Sequence, residues 1–172
     1  MAIQFEKYRQ FLSKDGYAVF LFHGVVSSFQ ENCRNYTRKH IEAEYFHDFL
    51  DDLVQAGAQP VSMDDILAAK NGFSTLPKWA FAITFDDGFE NNLSVAMPIL
   101  KKFSVPATIY VTTEFVDKNL MSWIDRIEWA FKITSCAELK LPWLETQQLR
   151  TLEEKIAILE QIRKKVKFSS DI

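Results

Sequence analysis

Three observations predict an α/β fold with parallel strands and helical crossovers. Residues 18–22 (AVFLF) and 79–85 (WAFAITF) are apolar without interruption, as in strands covered on both faces. Each run stops abruptly, the first at His23-Gly24 and the second at Asp86-Asp87-Gly88. Helical patterns lie between and behind them, so strand, helix and strand alternate as in a βαβ unit.

Each element can be justified in chain order. Residues 18–22 form the first strand, and residues 27–40, polar and irregular, read as a loop. Ile41, Tyr45, Phe49, Leu50, Leu53 and Val54 then recur at helical spacing, with Gly57 as the stop. Pro60-Val61 is a short strand. Ser62 stands in the N-cap position of a small helix carrying Ile66 and Leu67, and Asp64 and Asp65 suit its first turn. Residues 79–85 form the second buried strand. Leu93, Ala96, Leu100 and Phe103 mark the helix behind it, bent at Pro98. Residues 107–112 (ATIYVT) are β-branched and aromatic and predict a third strand.

The later pattern is more helical. Trp123, Ile127, Ala130 and Phe131 outline a helix, and this apolar setting predicts that Trp123 and Trp129 pack in a core rather than against a ligand. Residues 138–141 read as a small strand. Thr151 and Glu154 form a capping-box signature for a last helix bearing Leu152, Ile156, Leu159, Ile162 and Val166. Its basic end, residues 163–167, is expected to face solvent and to complement the helix dipole.

Composition excludes several functions. With 48% apolar residues in 172, the chain can bury a core and is not of the disordered class. Twenty basic against twenty-three acidic residues leave no basic footprint for nucleic acid. Cys33 and Cys136 are too few for a disulfide framework or a cysteine zinc site and are expected to be structural thiols. No apolar run reaches the ~20 residues of a membrane span. The first twelve residues carry Glu6, Lys7 and Arg9, unlike a signal peptide, which favours a cytoplasmic location.

The chemistry concentrates at Thr84-Phe85-Asp86-Asp87-Gly88. Two adjacent carboxylates at the carboxyl end of a buried parallel strand sit where α/β proteins bind ligands. Gly88 lets the chain turn there. Like charges held this close ionise together only when a cation or other donors offset them. A divalent metal would be the simplest offset, leaving the other carboxylate as a base. Asp and Gly also favour plain turns, so spacing alone leaves both readings open. Haloacid-dehalogenase-type phosphotransfer fails, because Phe85 stands where the first Asp of Asp-x-Asp-Gly would be. A receiver-domain acidic pair is a poor fit, because the segment before Asp86 is too long.

The stretch AITFDDGFENN, followed by AMPILKKFSVPATIYVTT, resembles the first motif region of the polysaccharide deacetylases, the NodB-homology family or carbohydrate esterase family four. LFHGVV resembles the first-strand segment of many members, and WIDRIEWAF an insertion of one subgroup. The likeness covers residues 18–131, leaving 132–172 as a mostly helical extension or subgroup insertion of one partial domain, 1–172. It implies a distorted (β/α) barrel that removes acetyl groups from N-acetylated sugars of a polysaccharide with a divalent metal, often zinc. Carried over, Asp86 would be the catalytic base and Asp87 a metal ligand. His23, ending the first strand at the same face, would line the substrate crevice; a loop histidine bonded to backbone fits that position equally well.

Other parts of the family pattern have no match. Its metal-binding His-Ser/Thr-x-x-His is absent, for the three histidines are His23, His40 and His47. His40 and His47 lie seven residues apart but ahead of the first motif, and are expected to be surface or partly packed residues rather than ligands. The Arg-Pro pair, the further Asp and the late His acid are absent too, and Pro142-Trp143 does not replace them. A complete barrel takes about 250 residues. An incomplete barrel is therefore expected, with a loosely held or absent metal, negligible activity of the chain alone, and exposed edges that favour self-association. The competing expectations are a non-catalytic remnant that binds glycan or a protein partner, and an amidohydrolase acting on a non-sugar C–N bond.

Overall fold

The computed structural model describes Tyr8, residues 11–29 and residues 33–167. Most of the first twelve residues, on which the signal-peptide expectation falls, lie outside the described residues. The chain forms two units, residues 1–29 with 39–113 and residues 30–38 with 114–172.

The first unit is built on β1 (Tyr17–Phe22), β2 (Gly24–Val26), β3 (His40–Glu42), α1 (Ala43–Gln55), β4 (Gln59–Pro60), α2 (Met63–Lys70), β5 (Ala80–Phe85), a π-helical turn (Asn92–Ala96), α3 (Met97–Lys102) and β6 (Ala107–Ile109). Strand β5 is buried at every residue and organises the sheet. Strand β1 runs parallel along one edge, from Tyr17 opposite Ala80 to Phe22 opposite Phe85. The carbonyls of Phe81 and Phe85 accept from Val61 N–H at 2.9 Å and Tyr110 N–H at 2.7 Å. Odd-numbered residues of β5 therefore bond toward β4 and β6, which share its other edge, while Asp86 N–H donates to the Phe22 carbonyl at 3.0 Å on the β1 side. All four strands are parallel, and no closed barrel forms among the described residues.

Side-chain alternation separates the two faces of this sheet. Ala18, Phe81, Ile83 and Phe85 join Phe46, Phe49, Leu50 and Leu53 of α1 and Leu100 of α3 in the main core, with Phe20 and Phe22 packed against it. Edge-to-face aromatic pairs knit it together, Phe20 on Phe49 at 5.0 Å and Phe22 on Phe46 at 5.2 Å. On the opposite face Ala80 and Ala82 pack with Val61 and Ile66. That face continues onto β1 as Tyr17, Val19 and Leu21, which are 39, 41 and 54% exposed. The expectation that the first strand is covered on both faces is thus corrected: α1 covers one side of β1, and the other lies open.

Local chemistry accounts for the remaining departures. Ile41 belongs to β3, which pairs with β2 across the predicted loop, so α1 begins two residues later and turns Tyr45 outward in favour of Phe46. The helix predicted behind β5 opens as a π-turn, and Pro98 falls in the first turn of α3, where a missing N–H costs no bond. Leu93 is accordingly exposed. The third strand stops at Ile109 because β5 ends at its partner Phe85, leaving Tyr110 and Val111 half-exposed.

In the second unit, α5 (Trp123–Ile133), the antiparallel hairpin β7 (Glu138–Leu141) and β8 (Leu144–Gln148), and α6 (Leu152–Lys167) enclose a separate core; the short α4 (Thr113–Asp117) precedes them. Cys33, Phe131, Leu149, Ile158, Leu159 and Ile162 fill it. Burial pushes the Cys33 thiol above its ordinary pKa, in keeping with a structural role, whereas Cys136 is exposed. Buried Glu128 accepts from the Asn35 N–H at 3.2 Å. The predicted capping box of α6 is present, with Thr151 N–H donating to Glu154 at 3.0 Å and Glu154 N–H to the Thr151 hydroxyl at 3.2 Å. Arg163 and the lysines after it are exposed. Core packing of the tryptophans is overturned: Trp123 is 45% and Trp129 49% exposed, because Asp125, Glu128 and Phe131 take the inward face of α5.

Candidate active site at the carboxyl end of β5

The site grows from the last hydrogen bonds of the sheet. Phe22 and Phe85 are partners in register, so His23 and Asp86 follow them side by side at one end of the sheet. Asp86, Asp87 and His23 are all partly buried. The structure thus brings the three predicted residues to one rim, on adjacent strands.

Backbone conformation sets the turn. Asp87 has φ +70° and Gly88 φ +69°, two successive residues in the left-handed region. Asp tolerates that region better than most side chains but still pays a conformational cost. Gly88 is needed twice over, since a Cβ there would also lie 2.8 Å from Val111 Cγ1. A strained residue of this kind persists only when its surroundings hold it.

Those surroundings come from β2 and β3. Gly24 pairs with His40, and a Cβ on Gly24 would collide with the His40 ring and lie 2.6 Å from Asn91 Oδ1. The His40 ring packs edge-on to Phe89 at 4.6 Å, and Asn91 Nδ2–H donates to His40 Nδ1 at 2.9 Å. Lys39, one residue earlier, places its ammonium 2.7 Å from Asp87 Oδ2 and 4.4 Å from the centre of the Phe89 ring. His47 is elsewhere, between Lys102 and Asp48, with Lys102 Nζ donating to its Nε2 at 2.6 Å. His40 and His47 are therefore partly packed side chains.

Sequence reasoning missed Lys39, Phe89 and Asn91. Their grouping depends on the three-residue strand β3, too short to show a periodicity. The one available signal was Gly24 after His23, a mark of close backbone approach.

A zinc ion wants three or four protein ligands. Among the described residues no group of three or more His, Cys, Asp or Glu side chains could hold a metal. Asp86 and Asp87 are two carboxylates, and an ammonium already occupies one of them. The residues described do not fit a complete metal site.

Comparison with known proteins gives the fold a family. Over 65 residues the chain is 38% identical to a poly-beta-1,6-N-acetyl-D-glucosamine N-deacetylase of Escherichia coli (strain K12), which is 38% of this chain and 10% of that protein. Among solved structures, a de-N-acetylase from Aggregatibacter actinomycetemcomitans matches with a TM-score of 0.53 and 22% identity, covering 86% of this chain and 51% of the other. The deacetylase PplD of Streptococcus pyogenes matches with a TM-score of 0.50 and 20% identity, covering 66% and 51%. At these identities the structural likeness speaks for the fold, an α/β arrangement of the deacetylase type. The chain spans about half the length of these solved relatives and a tenth of the curated one. The family pattern itself, polysaccharide deacetylase, matches residues 74–164, which include β5, the acidic turn and β6. With the match running over more than half its length, this chain belongs to the polysaccharide deacetylase family.

Proposed function

We propose that the chain carries the base-bearing part of a carbohydrate N-deacetylase acting on an N-acetylated polysaccharide. The observation that supports this most is the adjacent pair Asp86 and Asp87 at the carboxyl end of β5, held in a left-handed turn beside the end of β1. In this reading Asp86 takes a proton from a water as that water attacks the acetamide carbonyl. The C–N bond then breaks, the sugar amine leaves with a proton, and acetate is the second product. Asp87 is the anionic partner that keeps a cation beside the reacting carbonyl, and His23 borders the sugar. The substrate class follows the E. coli relative, whose name specifies an N-acetylglucosamine polymer.

Family members generally depend on a metal. In this chain zinc would have two carboxylates and no third ligand among the described residues, so we propose that it is held loosely. Residues 1–172 are read as one partial deacetylase domain, whose open β1 face favours self-association. A second reading, a non-catalytic remnant that binds glycan, is favoured by the ammonium on Asp87.

Acetate release from partially N-acetylated chito-oligosaccharide separates the two. Without added metal, release should be negligible. At millimolar zinc or cobalt, which fills a weak site by mass action, slow release is expected, reduced about 100-fold or more in Asp86→Asn. No release at saturating metal, or release indifferent to Asp86→Asn, would reject the catalytic reading.

A further inference from the structure

We propose that Lys39 is the resident cation of this site: its ammonium holds Asp87 in place and competes with any divalent ion for that carboxylate. The inference goes beyond the deacetylase reading and rests on geometry within the first unit alone.

Surface ion pairs are usually worth little, because two long side chains must be ordered in water. This pair differs in how its lysine is held. Lys39 Nζ lies 2.7 Å from Asp87 Oδ2, with the two side chains only 22 and 29% exposed. The same ammonium sits 4.4 Å from the Phe89 ring centre, so an ion pair and a cation–π contact share one position. The backbone at Lys39 is anchored as well. It enters β3 directly, and His40 is locked by Gly24 in register, by the Phe89 ring and by the Asn91 amide. Phe89 and Asn91 belong to the same turn as Asp87, so Lys39 is clamped to the structure that presents its partner carboxylate.

Charge then decides the competition. A zinc–carboxylate bond is about 2.0–2.2 Å long, so an ion on Asp87 Oδ2 would lie no more than roughly 5 Å from an ammonium left in place. A divalent ion and a monovalent cation that close repel even in a water-like dielectric, so Lys39 in place weakens metal binding and metal entry favours its swinging away. The Asp86–Asp87 pair supplies no third protein ligand to offset that displacement.

Removing the ammonium should therefore tighten metal binding. Zinc titration by calorimetry, at fixed ionic strength, compares wild type, Lys39→Met and Lys39→Arg, with thermal melts confirming folding. Lys39→Met is expected to bind zinc about tenfold tighter or more than wild type, while Lys39→Arg, which keeps the charge, stays near wild type. The gain should vanish when Asp87→Asn is added to Lys39→Met, which separates this site from zinc bound elsewhere. Lys39→Gln replaces the methionine variant if that one does not fold. Equal zinc affinity in folded wild type and charge-removed variants overturns the proposal, and so does a gain that survives Asp87→Asn. Because the readout is binding, a failure of acetate release leaves this result independent.

Discussion

Gly24 and Gly88 shape the site by lacking side chains, and they differ in how readable they are. Gly88 follows two acids at the end of an apolar strand, so its role in a turn is legible from neighbours in the sequence. Gly24 makes room for the His40 ring, and that partner arrives through a pairing of two three-residue strands that no periodicity announces. Lys39 is hidden for the same reason: its partner Asp87 is distant in the chain, and only the fold brings them together. Gly88→Ala must adopt a left-handed φ and push against Val111, so it should destabilise the folded chain by about 1–3 kcal/mol in a urea titration. A loss of a few tenths or less would show that the turn relaxes freely and is not held as described.

Among the elements, helices with end signals were the most legible. Ser62 was readable as a cap, and the structure contains the full box: Asp65 N–H donates to the Ser62 hydroxyl at 3.0 Å, and Ser62 N–H donates to the Asp65 carboxylate at 2.8 Å. The Ser62 hydroxyl, then the Ser62 N–H, hold Asp65 below its ordinary pKa of 3.8. A depressed folded pKa means that the box contributes stability above that ordinary value and loses it as pH falls through the folded value. Ser62→Ala should lower stability at neutral pH by about 1 kcal/mol. Carboxyl NMR titration should show Asp65 moving up toward its ordinary range in that variant; an unmoved Asp65 would contradict the assigned cause. Strand ends were less legible, because a strand lasts only as long as its partner. Residues 110–112 have strand-forming side chains, yet β5 offers nothing to pair with beyond Phe85.

For the molecule as a whole, parallel α/β character was legible because β5 is buried on both faces and reads as a continuous apolar run. The same rule misled for β1, whose apolar run has Tyr17, Val19 and Leu21 on an open face. Apolar sequence reports the capacity for burial, and burial itself depends on what the fold brings over each face. The tryptophans of α5 show this again, with two acids buried where aromatics were expected. The position of the acidic pair was legible, since a strand ending in two carboxylates can be read locally, and its place beside His23 follows from the register of β1 and β5. Where an acetylated sugar meets the chain is therefore the most direct test. Backbone amide NMR during titration with an N-acetylglucosamine oligomer should show shifts clustered at His23, Gly24 and residues 86–91, and a fully deacetylated oligomer of equal length should leave them unchanged. Equal shifts from both oligomers, or shifts confined to residues outside this rim, would contradict the assignment of the β5 carboxylates as the reaction centre.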